Sequence, residues 1–387
     1  MDGPWDRPCR VLPRNGITMT QLTLGAPAPW FTAPSPGNPT FAFSSVAGRY
    51  ILLGFPPADA AGRDAALAAV SDRPDLFDDI RACAFVVLRD PAVFANRTNR
   101  RGVRWFLDAD GAIARAYGAL SDAGEERPAW LLLDPSLRVL MSARADQTAE
   151  LVARLGALPP PDGHAGVPLH APVLIVPRIF EPDLCRRLIR HYEETGGAPS
   201  GVMREVDGKT VGVLDSFKKR RDASIDDLGF QQELNLRISR RLLPEIRKAF
   251  QYKATRIERH IVACYDAGDG GYFRPHRDNT TAGTAHRRFA VSINLNAEAF
   301  DGGDLRFAEF GSRTYRPPTG GAVVFSCSLL HEATPVTRGR RYAFLPFLYD
   351  DEAAAIRERN RHLLDVPQAP APAGSQAQAQ PEPEPVE

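Results

Sequence analysis

The run LPPPDGHAGVPLHAP, residues 158–172, constrains this chain more than any other feature, because proline and glycine at that density sustain neither a helix nor a central strand. It divides 387 residues into two parts, each long enough to bury a core of its own. Before it, the short apolar runs RYILLGF, ACAFVVLRD, PAWLLLD and SLRVLMSA alternate with the helix-like stretch DAALAAVSDRPDLFDDI, which is the pattern of an α/β layer. After it come a strand, VLIVP, and a helix at EPDLCRRLIRHYEET with Leu184, Leu188 and Ile189 on one side. One longer helix is expected around LGFQQELNLRISRRLLPEIRKAF. Beyond residue 255 the text changes to RIERHIVACYD, FAVSINLN, DLRFAE, GAVVFSC and RYAFLPFLYD, the spacing of an all-β sandwich or barrel. A terminal helix, DEAAAIRERNRHLLD, precedes a low-complexity tail with few apolar side chains to bury. The expected organisation is a domain at 19–157, a linker at 158–172 and a domain at 173–366. Residues 1–18 and 367–387 are expected to be disordered, with Met19 as an alternative start. No internal repeat is visible.

Composition excludes several classes of function. Hydrophobic residues make up 43% and charged residues 25%, and no stretch approaches the roughly 18 apolar residues of a membrane span. A net charge of +1 gives no reason to expect nucleic acid or an acidic membrane surface as partner. The five cysteines are scattered and odd in number, which argues against a disulfide framework and against a thiolate zinc site. The opening MDGPWDRPCRVLPRNGIT lacks the apolar core of a secretory signal, so cytoplasmic residence is the expectation. Nothing in the sequence speaks to oligomeric state.

The candidates for chemistry all fall in the β-rich half. In GYFRPHRDN, His276 and Asp278 stand two apart, so on a strand they share a face and can converge on one ion. His331 follows the apolar run GAVVF, where a strand end delivers its imidazole to the same place. Two histidines and one carboxylate make the facial set of non-haem iron(II) oxygenases, with coordination positions left open, which favours iron(II) over zinc. Arg341 lies on the next apolar run, and its guanidinium fork suits the distal carboxyl of a keto acid such as 2-oxoglutarate. Alternation sends Arg340 and Arg341 to opposite faces. Tyr265 divides between a contact to that co-substrate and a core tyrosine with a satisfied hydroxyl. Asn294 divides between lining the pocket and a structural hydrogen bond.

Read in order, Tyr265, Gly268, Tyr272, His276 and Asp278, then INLN and GGDLRF, then LHEATPVTRGRR with Pro335, Val336, Gly339 and Arg341, residues 170–350 resemble the prolyl-4-hydroxylase-like group of iron(II)- and 2-oxoglutarate-dependent oxygenases. The resemblance implies a mainly-β double-stranded β-helix (jelly-roll) with flanking helices. It implies His276, Asp278 and His331 as metal ligands and catalytic centre, with Arg341, Tyr265 and Asn294 as co-substrate contacts. Dioxygen, 2-oxoglutarate and in many members L-ascorbate are consumed, and succinate and carbon dioxide released. Asp278 stands where related halogenating enzymes carry a small residue, so hydroxylation is the expected outcome. The substrate is a protein or peptide side chain or a small molecule. The rival reading is a catalytically decayed scaffold or interaction protein.

The segment LTLGAPAPWFTAPSPGNPTFAFSSVAGRYILLGFPP resembles the start of peroxiredoxins, which implies an α/β thioredoxin-like fold for 19–157. The loop that would carry the reactive cysteine reads FPPADAAGRDA and has none. Cys83, inside ACAFVVL, reads as a buried strand residue, and a redox role through another thiol stays as a third possibility. Pro128 occupies the place where such folds often have a cis proline. This half is expected to be a degenerate peroxiredoxin-like domain serving as a docking or scaffold module. Lys218, Lys219, Arg220 and Arg221 in SFKKRRDASIDD read as a solvated face, with a substrate-receiving rim as the alternative. The other histidines, His286 and His260 among them, read as surface or satisfied residues, and Cys264 and Cys327 as core thiols.

Overall fold

The structure, a computed structural model, describes residues 22–365, so the two terminal segments expected to be disordered lie outside the described residues. The N-terminal half is a five-stranded sheet in the order Val103–Leu107, Ala82–Leu88, Tyr50–Phe55, Ala129–Leu133, Val139–Arg144. The first three strands run parallel and the last two antiparallel. Tyr50–Phe55 and Ala82–Leu88 are buried at every position, as central strands covered on both faces must be. Helices Ala60–Ser71 and Thr148–Ala157 cover one face through Ala66, Val70, Leu151 and Leu155. The other face carries an aromatic cluster in which Phe31 stacks on Phe43 at 4.7 Å and Phe85 on Phe106 at 5.4 Å. This is a thioredoxin-like α/β layer.

Two expectations for this half need correction. The helix is Ala60–Ser71, capped by Asp59 on the Gly62 N–H, and it does not continue through the run ending at Ile80. Pro74 disfavours helical backbone at Arg73, and Asp78 closes the following turn by accepting from the Ile80 and Arg81 N–H groups. Every described peptide bond is trans, that of Pro128 included. Cys83 is buried in its strand, as read.

The C-terminal half stacks two antiparallel sheets into a double-stranded β-helix. The larger runs Arg256–Glu258, Phe347–Tyr349, Phe289–Asn294, Arg340–Phe344, Ile261–Asp266, Arg221–Ser224, Ala198–Pro199, and Ala322–Ser326 also joins it. The smaller runs Lys218–Lys219, Tyr272–His276, His331–Ala333, Leu305–Arg306, Thr314–Tyr315. Helices Pro182–Thr195 and Leu228–Arg241 back the larger sheet, burying Leu184, Leu188, Leu234 and Ile238 in its core. The single helix expected over 228–250 is two, Leu228–Arg241 and Leu243–Phe250, because Pro244 has no N–H to continue the ladder and opens a second helix. The run 256–266 is likewise two strands, broken where Arg259 takes φ +56°. DLRFAE contributes a strand of only Leu305–Arg306 before a 3-10 turn at Ala308–Phe310.

The halves dock tightly. Leu330 of the C-terminal half is 1% exposed and belongs to the core cluster of the N-terminal layer, together with Phe43 and Phe85. At Gly48, φ is +96° and a Cβ would stand 2.5 Å from that of Ala308, so only glycine lets these backbones meet.

Candidate metal centre and its pocket

The smaller sheet brings the three expected donors together. His276 ends its strand and is paired in register with His331, which opens the neighbouring one. Asp278 follows two residues on, its peptide N–H donating to the Cys327 carbonyl at 2.9 Å. One Asp278 oxygen lies 3.6 Å from His276 Nε2 and the other 3.4 Å from His331 Nε2. One donor atom from each residue falls within 4.8 Å of the others. Both Nδ1 atoms sit against carbonyls, His276 on Arg274 at 2.7 Å and His331 on Leu329 at 3.1 Å. A carbonyl only accepts, so Nδ1 carries the proton and each Nε2 lone pair is free for a metal.

The surroundings hold these groups in their ligating protonation states. Phe273 stacks on the His276 ring at 3.4 Å, and Phe325 packs against His331 at 4.6 Å. Burial, reinforced by His276, pushes His331 down to about 4, so its imidazole is neutral. Burial alone would raise the Asp278 carboxyl, yet the adjoining imidazoles and Arg287 hold it well below the usual carboxylate range.

Arg341 pairs in register with Tyr265 on the larger sheet and is 3% exposed, whereas Arg340 and Arg338 point to solvent and pair with Asp266 and Asp301. Its Nη2 donates to Ser292 Oγ at 2.8 Å and its Nε to Asn294 Oδ1 at 3.4 Å, while Nη1 has no partner among the described residues. Burial pushes this guanidinium below its ordinary value. Gly303, at φ +67°, leaves room for it, since a Cβ there would come within 3.3 Å of Arg341 Cδ. Tyr265 lies beside it, ring to guanidinium 5.2 Å, and its hydroxyl accepts from Arg220 Nη1 at 3.4 Å. The Tyr265 proton is thereby left to donate elsewhere. An orphaned, buried guanidinium nitrogen beside a free hydroxyl proton fits the carboxylate of a keto acid.

Metal donors, Arg341 and Tyr265 line one cavity of about 700 Å³. Asn294 does not line it; its side chain accepts from Arg341 Nε at 3.4 Å and donates to the Pro317 carbonyl at 3.0 Å. Ser292 lines the cavity in its place. The solvated-face reading of the basic run holds for Lys219 and Arg221 but fails for Lys218 and Arg220, which are buried in the cavity wall. Strand alternation at 218 and 220 was the available signal, masked by the density of charge. Lys218 Nζ donates to Ser200 Oγ and the Gly201 carbonyl, above the Phe273 ring at 4.9 Å. Arg220 forms a fork on Asp222. His286 is buried with Nε2 on Glu258 at 2.7 Å, while its Nδ1 has no partner among the described residues. The Tyr272 hydroxyl donates to the Ser216 carbonyl at 2.6 Å.

Residues 260–349 match the family model described as the 2OG-Fe(II) oxygenase superfamily, and this stretch holds every metal donor and Arg341. Among curated proteins, a PKHD-type hydroxylase of a Synechococcus strain is 32% identical over 89 residues, 21% of this chain and 39% of that protein. A PKHD-type hydroxylase of Pseudomonas fluorescens is 27% identical over 183 residues, 44% of this chain and 75% of that protein. The chain thus spans 39% of the first of these relatives. The peroxidoxin BcpB of Mycobacterium tuberculosis superposes at a TM-score of 0.32 and 21% identity, covering 36% of this chain and 99% of that one.

Proposed function

We propose that this chain, whose C-terminal half carries a 2OG-Fe(II) oxygenase superfamily domain, is an iron(II)- and 2-oxoglutarate-dependent dioxygenase that hydroxylates a protein side chain of prolyl type or a small molecule. The observation that carries the reading is one cavity holding three converging donors, His276, Asp278 and His331, and one buried guanidinium with an unspent N–H. When bound, iron(II) and 2-oxoglutarate supply the oxidising chemistry, with one oxygen atom of O2 entering succinate and the other the substrate, and carbon dioxide leaving.

The chain's own residues do the rest. His276, Asp278 and His331 would hold the ion, and the cavity they line leaves space beside them for the keto acid and dioxygen. Arg341 Nη1 and the Tyr265 hydroxyl fix the distal carboxylate, and Ser292 and Asn294 hold Arg341 in place to receive it. Phe273 and Phe325 exclude water from the imidazoles. Ascorbate as a reductant belongs to the same proposal, as do a peroxiredoxin-like unit at 19–157, a linker at 158–172 and an oxygenase unit at 173–366. Among the described residues no helix is long and apolar enough to cross a membrane.

The test is anaerobic titration with iron(II) and 2-oxoglutarate, watching the visible charge-transfer band of the chelate. The band is expected in the native protein only when both are present, and not in His276→Ala. A native protein that binds both without the band overturns the assignment.

A further inference from the structure

Among the described residues of the thioredoxin-like layer the one cysteine is Cys83. Cys83 is buried, its Sγ lies 3.2 Å from an Asp79 oxygen, and burial pushes its thiol up to about 12. Yet this layer reaches the iron pocket. Its hairpin pairs Thr32–Ser35 with Asn38–Ala42, Thr32 opposite Ala42. Alternation makes the hairpin two-faced: Ala33 and Phe41 pack into the aromatic core, whereas Thr32, Asn38, Thr40 and Ala42 line the same cavity as His276 and Arg341. The docking that brings it there is anchored beside the metal donors. Arg277, between His276 and Asp278, lies over Trp30 at 4.4 Å, reaches the Ser44 carbonyl at 3.4 Å and is paired with Glu309. Leu330, next to His331, is held in the N-terminal core.

Two further observations say what the cavity takes besides the keto acid. The first is a pair of strand edges. Among the described residues, Asn38–Ala42 pairs with Thr32–Ser35 alone and Val202–Val206 is the edge of its own three-stranded sheet, so each leaves one strand edge open, one in each half of the protein; Pro39 has no N–H and the Thr40 N–H is held by Asn38 Oδ1, so the first edge offers acceptors more than donors. Free edges are where an extended chain adds. The second is charge. Arg204, Arg220, Arg277 and Arg287 are spent on Asp215, Asp222, Glu309 and Glu258. Arg341 is taken by the keto acid, which leaves Lys218 and Arg259 in the wall with only neutral acceptors: Ser200, Gly201 and the Leu345 carbonyl.

We propose that the substrate is an extended acidic peptide segment laid between the Asn38–Ala42 and Val202–Val206 edges, with a carboxylate on Lys218 and Arg259, and that the N-terminal layer serves as the second wall of the substrate cleft. This rests on the oxygenase reading and names the substrate class of that site. The hairpin offers the segment short neutral hydrogen-bonding groups, Thr32, Asn38 and Thr40, that suit backbone amides.

The test uses the full chain with iron(II) and 2-oxoglutarate and two libraries of capped nonapeptides, randomised except for one position that is Glu in one library and Gln in the other. Succinate release and gain of one oxygen by the peptides are followed. The Glu library is expected to raise succinate release at least tenfold over the peptide-free rate and the Gln library several-fold less. Thr40→Trp, which fills the wall, and Lys218→Met are each expected to cut the peptide-dependent rate at least tenfold while retaining the anaerobic charge-transfer band. Lys219→Met, on the solvent face, changes neither. No oxidised peptide from a native protein that shows the band overturns the peptide class. Equal use of both libraries overturns the anion site, and full peptide turnover by a folded Thr40→Trp overturns the second wall. Loss of the band in the native protein would instead sink the oxygenase reading itself.

Discussion

Replacing Arg341 by methionine separates a binding group from a structural one. Its guanidinium is buried with one nitrogen unpartnered, so the empty protein bears the cost of an unsatisfied buried donor, about 1–3 kcal/mol. Methionine has similar length and fills the space without that cost, although Ser292 Oγ and Asn294 Oδ1 lose their donor. The expected net effect without ligand is a stability unchanged or raised by about 1 kcal/mol, up to roughly 2–4 °C in melting temperature for a protein of this size. Binding goes the other way. One charge-assisted hydrogen bond to a carboxylate contributes about 1.5–3 kcal/mol. Losing the Nη1 bond and the charge behind it should cost about 3 kcal/mol, or roughly a hundredfold in the dissociation constant of 2-oxoglutarate. Anaerobic titration of the charge-transfer band gives the affinity. Thermal melts with and without 2-oxoglutarate give the stability, and the ligand-induced shift of the native protein should vanish in the variant. A variant that melts several degrees lower yet binds 2-oxoglutarate normally would show Arg341 to be a structural residue and refute the reasoning.

Three further outcomes are expected. Burial pushes Lys218 from 10.5 down to about 6, reinforced by Arg220 and Arg259 and opposed by Asp222 and Asp278. Between those values the unfolded chain holds a proton that the folded, substrate-free one releases and that an incoming substrate carboxylate would restore, so in the empty protein this residue makes stability rise with pH by at most about 1.4 kcal/mol per unit. Lys218→Met should therefore be the more stable protein near neutrality and lose its advantage towards pH 10, read from urea melts across that range; parallel curves for the two proteins would contradict this. Leu330→Ala leaves a cavity in the N-terminal core and should cost about 2–5 kcal/mol, with weaker iron(II) binding from the loosened His331 turn; unchanged melting and iron affinity would contradict the docking. Cys83 should resist thiol reagents until the protein unfolds, and peroxide consumption should be blank and indifferent to Cys83→Ala.

How far the sequence could be read followed the range of the interactions. The strands Tyr50–Phe55 and Ala82–Leu88 were legible because complete burial writes itself as an unbroken apolar run. His276 with Asp278, and Arg341 against Arg340, were legible because a period of two sorts neighbouring side chains onto faces. The hairpin in TAPSPGNPTFA was not, since its cavity face is polar and its turn is rich in proline and glycine, which looks like a loop. The breaks at Arg259 and Leu242 were hidden inside runs of uniform pattern. Lys218 and Arg220 were masked because a charge run ordinarily marks solvent, and only the strand beneath them shows which two turn inward. Participation of the N-terminal layer in the pocket has no local signature, because it arises from docking between distant segments.

The lodging of Leu330 in the N-terminal core also bears on how the chain is made. Translation proceeds from the N-terminus, so the first layer emerges complete through Ala157 while Leu330 is still unmade, a lag of roughly ten to thirty seconds at ordinary elongation rates. During that interval the layer holds an open apolar socket lined in part by Phe43 and Phe85, a point of vulnerability to chaperone capture or mispairing that closes only as the last strands leave the ribosome.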